Sequence, residues 1–232
     1  MVRQRILVCG ATGFIGRNMA EAYLSDSSFE LHAVFNRRLP FEDNRIIWHK
    51  CDLTDPYQIE ALLKTVKPAK IIQAAATTSG AKDIISNPQL HVTDNAVMNS
   101  YVFRAAVDYE VQHLVFFSCT VMYQSSDLSI AENDYDANAS VHPSYFGAAN
   151  TKLYLEKMCE FYSGLGATKF TAIRHSNIYG PHDKFDLERS HFFGATITKV
   201  LNAADSITLW GAGEEERDLL YVDDLVTFVN KV

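Results

Sequence analysis

The chain has 232 residues, enough for one α/β core, and its 47% hydrophobic and 21% charged residues are ordinary for a soluble globular protein. Its net charge of −7, with no basic run, argues against non-specific nucleic-acid binding. No apolar stretch is long enough to cross a bilayer and no secretory signal is visible, so we expect no membrane partner. The cysteines are scattered without metal-ligand pairing, which favours a reduced cytoplasmic setting and no metal site: Cys9, Cys51, Cys119 and Cys159.

Apolar runs alternate with helical patterns along the first three quarters of the chain. Strands are predicted at 4–9, 30–35, 46–48, 70–74, 113–118 and 169–174. Helices are predicted at 14–25, 56–66, 94–109 and 145–163. Strands separated by helix-length segments indicate parallel βαβ units, and therefore an α/β fold with a Rossmann-like, doubly wound parallel sheet.

A glycine-rich turn joins the first strand to the first helix. Glycines tolerate positive φ and let backbone N–H groups approach a pyrophosphate, which is favoured where the helix dipole is positive. The position of this turn, between an N-terminal strand and a helix, predicts dinucleotide binding. The residues assigned to the coenzyme here are Gly10, Thr12, Gly13, Phe14, Ile15 and Gly16.

The end of the second strand predicts which coenzyme is bound. Asn36 stands where NAD-binding units usually carry an acid for the ribose, and Arg37 and Arg38 follow. Guanidinium groups bind a 2′-phosphate bidentately, so we predict NADP, with NAD and two merely solvated arginines as the alternative. Asp52, followed by Leu53, is predicted to accept from the adenine amino group or, alternatively, to cap the next helix. Small residues after the fourth strand either admit the coenzyme or simply pack: Ala74, Ala75 and Ala76.

After residue 174 the alternation weakens. A helix near 191–203 and a short strand at Ile207–Trp210 suggest a smaller lobe that covers a substrate. We therefore predict an NAD(P)-binding domain at 1–174 and a substrate-binding lobe, with interleaved segments, at 175–232. The chain stops inside a helical pattern that follows Asp223-Asp224, so a further C-terminal part is expected.

Together these residues resemble the extended short-chain dehydrogenase/reductase family of sugar-nucleotide epimerases, dehydratases and reductases, nearest to its GDP-sugar epimerase/reductases. Other segments carry the resemblance along the whole chain: Asn95, Asn177-Ile178-Tyr179-Gly180-Pro181, Ser190-His191, Trp210-Gly211-x-Gly213 and Arg217-Asp218-x-x-x-Val222-Asp223-Asp224. The resemblance implies NADP-dependent reduction of a nucleotide-linked 4-keto-6-deoxy sugar, with or without epimerisation. An epimerase or dehydratase without net redox, and a non-catalytic dinucleotide-binding protein, are the alternatives. It also implies a homodimer through a four-helix bundle formed by the helices at 94–109 and 145–163.

The resemblance implies a tyrosine that transfers a proton and a lysine four residues later that lowers the tyrosine pKa and binds the nicotinamide ribose. Lys152 matches the lysine, but Ala148 stands in the tyrosine position. Tyr145 lies seven residues before Lys152, on the same helix face but ~10 Å along the axis. Three interpretations stay open: Ala148 marks a lost base, Tyr145 reaches in, or another group acts.

The loop after the fifth strand also departs from the family pattern. Matching Tyr123 without gaps puts Cys119 where a substrate-binding Ser or Thr is usual, between Ser118 and Thr120. Because a thiol is a weak donor, Ser118 or Thr120 is favoured in that role. His191 and, with a shifted loop, Cys119 match the pair that moves protons beside the ketone in the GDP-sugar branch. Structural roles for both are the alternative.

The resemblance further implies a set of substrate contacts. Arg217 matches the arginine that binds the diphosphate, with a salt bridge to the neighbouring glutamates as its alternative. Asn177 matches an asparagine that contacts the substrate phosphate, and Trp210 lines the base pocket or packs in the core. Polar residues after the alanine run are placed near the sugar: Thr77, Thr78 and Ser79.

Overall fold

A parallel sheet of six strands organises the first three quarters of the chain. In the computed structural model its strands are β1 (Gln4–Cys9), β2 (Phe29–Phe35), β3 (Ile47–Lys50), β4 (Lys70–Gln73), β5 (His113–Phe117) and β6 (Lys169–Ile173). Their order is β3-β2-β1-β4-β5-β6, and every neighbouring pair is parallel. The structure describes residues 3–78, 87–124, 126, 128–185, 187, 190–209, 213–214 and 216–232. The predicted Rossmann-like, doubly wound α/β fold is confirmed.

Helices cover both faces of this sheet. They are α1 (Phe14–Leu24), α2 (Pro56–Val66), α3 (Thr93–Asp108) and α4 (Phe146–Ser163) and, after a helix α5 (Phe192–Asn202) that contributes no residue to the two core layers, α6 (Val222–Lys231). The strands β1 to β6 and the helices α1 to α4 begin and end within two residues of their predicted bounds. Within the part of the chain that the structure describes, no helix is long and apolar enough to cross a membrane.

Two apolar layers form the core, one on each face of the sheet. Alternate strand residues enter opposite layers, as the two-residue period of a strand requires: Leu114 and Phe116 pack on one side, Val115 and Phe117 on the other. The first layer is completed by α2, α3 and α4, and the second by α1 and α6. Both faces are therefore buried along the central strands β1, β4 and β5, which is why these strands contain continuous apolar runs.

The chain beyond residue 174 returns to this core. Val222, Leu225 and Val229 of α6 are buried in the same layer as α1. Between residue 174 and α6 lies a second parallel sheet of two three-residue strands, β7 (Asn177–Tyr179) and β8 (Leu219–Tyr221). The sequence did not indicate these strands because three residues are too few for a periodic pattern. The division at 174 with interleaved segments stays a prediction.

The predicted strand at Ile207–Trp210 is wrong over the residues that can be checked. Residues 207–209 have no regular structure, and Trp210 lies outside the described residues. Ile207 and Leu209 remain exposed rather than packed in the core. A strand is stabilised by packing against cross-strand neighbours, and an alternating pattern alone does not supply them.

The turn between β1 and α1 depends on two glycines. Gly10 has φ +72°, and a Cβ at this position would lie 2.6 Å from the Cα of Ala75. A Cβ on Gly16 would overlap the Gly10 carbonyl group, so α1 approaches the turn closely only with glycine there. The backbone N–H of Gly13 donates to the Gly10 carbonyl at 2.9 Å, which closes the turn.

Replacing Gly10 with alanine tests this packing. We expect Gly10→Ala to lower the free energy of unfolding by about 2 kcal/mol or more, because it adds a backbone overlap to an unfavourable φ. Gly164→Ala is the control, since Gly164 has φ −79° and the nearest atom would lie 3.4 Å from its Cβ. Urea unfolding of both variants measures the difference. Equal stability of the two would contradict the close approach.

Candidate active site

The candidate site residues follow the carboxyl ends of neighbouring strands. Gly10 follows β1, Asn36 follows β2 and Ala74 follows β4. Ser118 follows β5, and Arg174 follows β6. Since all six strands are parallel, these positions share one edge of the sheet. The strand order reverses between β1 and β4, and ligands of such sheets bind in the crevice at this reversal.

The amino terminus of α1 has the features of an anion site. Its N-cap is Gly13, its first turn has no acidic side chain, and Thr12 beside it is only partly buried. The unpaired N–H groups of a helix start and the positive end of its dipole favour phosphate. Phe14 and Ile15 pack their side chains against the apolar core and present backbone to the turn. The glycine cradle therefore fits a dinucleotide pyrophosphate.

Arg37 and Arg38 are exposed beside this turn. The guanidinium of Arg38 donates to the Thr12 carbonyl at 3.0 Å, which joins the end of β2 to the glycine turn. Asn36 and the charge of Arg37 add to the hydrogen bonds from Thr54 in lowering the pKa of the Asp52 carboxyl group. Two guanidinium groups thus lie at the position where the sequence predicts a 2′-phosphate.

Asp52 is held by its own loop. Its carboxylate accepts from the N–H of Thr54 at 2.9 Å and from the Thr54 hydroxyl at 2.7 Å, and these bonds keep the pKa of Asp52 below its ordinary value. The alternative in which Asp52 caps the next helix is wrong, because the N-cap of α2 is Asp55, which accepts from the N–H groups of Tyr57 and Gln58. The side chain of Leu53 is buried in the core.

The loop after β4 is fixed by one asparagine. Asn95 of α3 accepts from the Thr77 N–H and donates to the Thr77 carbonyl, both at 2.9 Å. This clamp holds the preceding segment, in which Ala75 meets Gly10 and Ala76 is exposed. Thr78 is exposed at its end, and Ser79 lies outside the described residues.

Lys152 reaches the end of β5 from α4. Its Nζ donates to the Phe117 carbonyl at 2.6 Å and lies 4.6 Å from the ring centroid of Phe116. Burial lowers the pKa of Lys152, while the nearby groups of Cys119 and Glu156 act in the opposite direction. The structure thus places the lysine ammonium at the carboxyl edge of the sheet.

Tyr145 lies just outside the helix that carries Lys152. It ends a short 3-10 turn, Pro143–Tyr145, and occupies the N-cap position of α4. Its ring packs against His142 with centroids 5.6 Å apart. The predicted helix 145–163 therefore begins one residue later, and Ala148 lies in its first turn. Seven residues of helix separate Tyr145 from Lys152 by about 10 Å of axial rise.

The three residues after β5 have different environments. Ser118 is buried, and its hydroxyl donates to the Glu156 carboxylate at 2.5 Å. Burial raises the pKa of the partly buried Cys119 thiol, with the Lys152 charge opposing the shift. That direction disfavours the thiolate that proton abstraction by Cys119 requires. Thr120 is exposed.

Three residues at this edge were not singled out from the sequence. Glu156 and Arg174 form a well-buried ion pair with Arg174 Nη2 2.7 Å from Glu156 Oε2. His175 donates from Nδ1 to the Ser176 carbonyl at 2.8 Å, and burial lowers its pKa to about 4, with the charges of Lys152 and His191 adding to the shift. The available signals were the position of Glu156 one turn after Lys152 and the two polar residues directly after β6.

The substrate-lobe candidates lie around β7, β8 and the start of α5. Asn177 donates to the Asp218 carbonyl at 3.2 Å, and the Arg217 guanidinium lies 5.4 Å from the Phe192 ring centroid. His191 is the N-cap of α5; partial burial of its ring lowers its pKa, and Asp183 opposes this shift. Among the described residues, no group of three or more His, Cys, Asp or Glu could hold a metal ion.

The parallel sheet, the glycine cradle and the helix-borne lysine define a Rossmann-type protein built for a dinucleotide. The chain belongs to the NAD-dependent epimerase/dehydratase family, whose model matches residues 6–232, and it is an enzyme of this kind.

The chain is also similar to curated proteins and to solved structures. GDP-L-colitose synthase of Yersinia pseudotuberculosis is 27% identical over 230 residues, covering 97% of this chain and 70% of that protein. GDP-L-fucose synthase of Sinorhizobium fredii is 27% identical, with 95% and 68% covered. The GDP-L-fucose synthetase of Naegleria fowleri bound to NADP has a TM-score of 0.79 at 21% identity, covering 99% of this chain and 72% of that one. The UDP-glucose 4-epimerase of Thermus thermophilus with NAD has a TM-score of 0.80 at 23% identity, with 98% and 74% covered.

Acid should destabilise the fold through His175. Its pKa is about 4 in the folded protein and 6.5 ordinarily, so the unfolded chain binds more protons between these values. Stability is therefore lost as the pH falls from 6.5 towards 4. We expect His175→Asn to remove about 1–2 kcal/mol of the loss between pH 7 and pH 5, measured by urea unfolding. The exposed His142, changed to Asn, is the control; the same pH dependence in both variants would refute the assignment.

Proposed function

We propose that this chain is an NADP-dependent nucleotide-sugar epimerase/reductase that reduces a nucleotide-linked 4-keto-6-deoxy sugar. The observation that carries the proposal is the placement of Lys152, bound to the Phe117 carbonyl, at the same sheet edge as the glycine cradle. GDP-L-colitose and GDP-L-fucose synthases and a dTDP-4-dehydro-6-deoxy-D-allose reductase of Streptomyces support the substrate class. An epimerase or dehydratase that returns its hydride is the second candidate, favoured by the likeness to UDP-glucose 4-epimerases.

NADP is the proposed coenzyme, and it fits the residues at the end of β2. Asn36 carries no charge to repel a 2′-phosphate, and Arg37 and Arg38 are exposed next to the glycine turn. Gly10, Gly13 and Gly16 would hold the pyrophosphate at the start of α1, and Asp52 the adenine side. When bound, the coenzyme supplies a hydride to the sugar carbonyl carbon. NAD remains the alternative, as in the Thermus thermophilus epimerase.

The protein's own residues then have separate roles. The Lys152 ammonium orients the ribose end of the coenzyme and supplies positive charge next to the reacting oxygen. A hydroxyl of the segment after β5 donates to that oxygen. His191 exchanges the proton next to the ketone, and Cys119 is its proposed counterpart. Hydride addition to carbon requires one proton on oxygen, and Ala148 cannot provide it. The proposed source is the donating hydroxyl after β5, which gives its proton to the oxygen and is reprotonated from water.

Arg217 and Asn177 are proposed to bind the diphosphate of the substrate. They are brought together by β7 and β8, because Asn177 bonds to the Asp218 carbonyl next to Arg217. Arg217 lies against Phe192, directly after His191, which supports one binding lobe for the diphosphate and the sugar. Asn95 holds the backbone of Thr77, whose side chain is partly buried, while Thr78 is exposed. Trp210 at the base pocket and Ser79 near the sugar are part of the proposal, and both lie outside the described residues.

A homodimer through α3 and α4 is part of the proposal. These two helices pack side by side and expose large aromatic side chains: Tyr101, Tyr154 and Phe161. A contact that covers such residues is the expected use of an apolar helix surface. A reduced cytoplasmic location is also proposed, and it is supported by four unpaired thiols.

Coenzyme choice is tested at Arg38. We expect Arg38→Ala to raise the Kd for NADPH about tenfold or more, because a bidentate guanidinium–phosphate contact is lost, and to change the Kd for NADH by less than about twofold. Arg104→Ala, which removes an exposed guanidinium from α3, is the control. Fluorescence titration with both coenzymes gives the constants. A parallel loss of NADH affinity would show that Arg38 acts on the turn and not on a 2′-phosphate.

The missing proton donor is tested at position 148. We expect Ala148→Tyr to raise turnover of a GDP-linked 4-keto-6-deoxy sugar by about 100-fold, since a positioned general acid contributes at least that much. Tyr145→Phe should change turnover little, because Tyr145 lies before α4. NADPH consumption measures both, and consumption in proportion to product separates a reductase from an epimerase. Loss of turnover in Tyr145→Phe would instead identify Tyr145 as the donor.

A further inference from the structure

The Glu156–Arg174 ion pair is the most extensively bonded group of charges among the described residues at the sheet edge. Arg174 Nε lies 3.1 Å from both carboxylate oxygens of Glu156, and Nη2 lies 2.7 Å from one of them. Only 12% of the Glu156 side chain and 19% of the Arg174 side chain is exposed. Such a pair is costly to bury unless its remaining donors and acceptors are satisfied.

The other hydrogen-bonding groups of the pair bond mainly to one segment of the chain, residues 118–123. Glu156 accepts from the Ser118 hydroxyl at 2.5 Å, at the start of the segment. Arg174 Nη1 donates to the Tyr123 hydroxyl at 2.7 Å, at its end, and to the Glu132 carbonyl at 3.2 Å. The guanidinium also lies 5.4 Å from the Tyr123 ring centroid. One ion pair therefore holds both ends of the segment.

This arrangement decides which hydroxyl is available. The single O–H of Ser118 is donated to a carboxylate, and its N–H is donated to the Ile173 carbonyl. Between the two held ends, the turn is closed by the Tyr123 N–H, which donates to the Thr120 carbonyl at 3.1 Å. Thr120 is exposed in that turn.

Lys152, the lysine proposed to bind the coenzyme, lies on the same face of α4 as Glu156. Lys152 and Glu156 are four residues apart on α4, so their side chains lie one above the other. Lys152 holds the Phe117 carbonyl and Glu156 holds the hydroxyl of the next residue, Ser118. The end of β5 is thus fixed by two successive turns of one helix.

We propose that Glu156 and Arg174 are positioning residues that hold the 118–123 segment so that Thr120, and not Ser118, presents its hydroxyl to the substrate carbonyl beside Lys152. This inference rests on the proposed function. Of the two candidate hydroxyls, Thr120 is the one available, because Ser118 already donates to Glu156.

Kinetics of single and double variants test the assignment. We expect Thr120→Val to lower kcat about 100-fold, as loss of a donor to a developing oxyanion does, and Ser118→Ala to cost far less. Glu156→Gln should lower kcat about tenfold with the KM for NADPH within about twofold, and in Thr120→Val/Glu156→Gln the second change should add nothing, because Glu156 acts through Thr120. Glu160→Gln, which breaks an exposed pair with Lys157 on the same helix, is the control.

Two kinetic results would overturn the proposal. One is a larger kcat loss in Ser118→Ala than in Thr120→Val. The other is full additivity of Thr120→Val and Glu156→Gln. Thermal unfolding of each variant is recorded alongside, so that a variant that fails to fold is recognised.

A second measurement needs no turnover. Cys119 is the one partly exposed cysteine, while Cys9, Cys51 and Cys159 are buried. Burial is the main cause that raises the pKa of the Cys119 thiol, and the Glu156 charge adds to it, so Glu156→Gln should move the midpoint pH of Cys119 alkylation by iodoacetamide downward. Simple loosening would instead label buried cysteines as well. An unchanged midpoint in Glu156→Gln refutes the placement of Glu156 against the segment, even if no nucleotide sugar is turned over and the proposed function fails.

Discussion

Gly10 leaves β1 with its backbone against that of Ala75, and only a residue without a side chain permits this approach. The contact fixes the turn that precedes α1 against the loop that follows β4, on the two sides of the point where the strand order reverses. Asn95 holds the far end of the same loop through Thr77. The crevice for a coenzyme is therefore a consequence of backbone packing, and the polar side chains around it are placed by elements that this packing positions.

The second half of the site depends on charges that α4 brings to the ends of β5 and β6. Lys152 and Glu156 extend from successive turns, and each bonds to the end of β5 or the residue that follows it. Arg174 neutralises Glu156 from the next strand. A buried carboxylate without this partner would be costly, so the arginine is as necessary to the geometry as the lysine. The role of these charges is to hold the Phe117 carbonyl and the Ser118 hydroxyl in place.

The strands and long helices were predictable because burial on both faces of a parallel sheet produces apolar runs, and because α1 to α4 carry clear periodic patterns. The glycine turn was predictable because positive φ and close approach restrict those positions to one residue type. Predictions failed where elements were short. The three-residue strands β7 and β8 pair residues that are distant in the chain, such as Asn177 with Leu219. A local sequence pattern does not indicate such a pairing.

The sequence by itself determined the doubly wound fold, the glycine cradle, the paired arginines after β2 and the absence of a tyrosine at position 148. Each of these follows from the residue type at a position and its local spacing. Only the tertiary structure decided that the Ser118 hydroxyl is bonded to Glu156, that Asp55 and not Asp52 caps α2, and that α6 completes the core beside α1. These depend on which side chains meet across space. One local sequence pattern is compatible with many different side-chain contacts, and the packing of the whole chain selects one set of them.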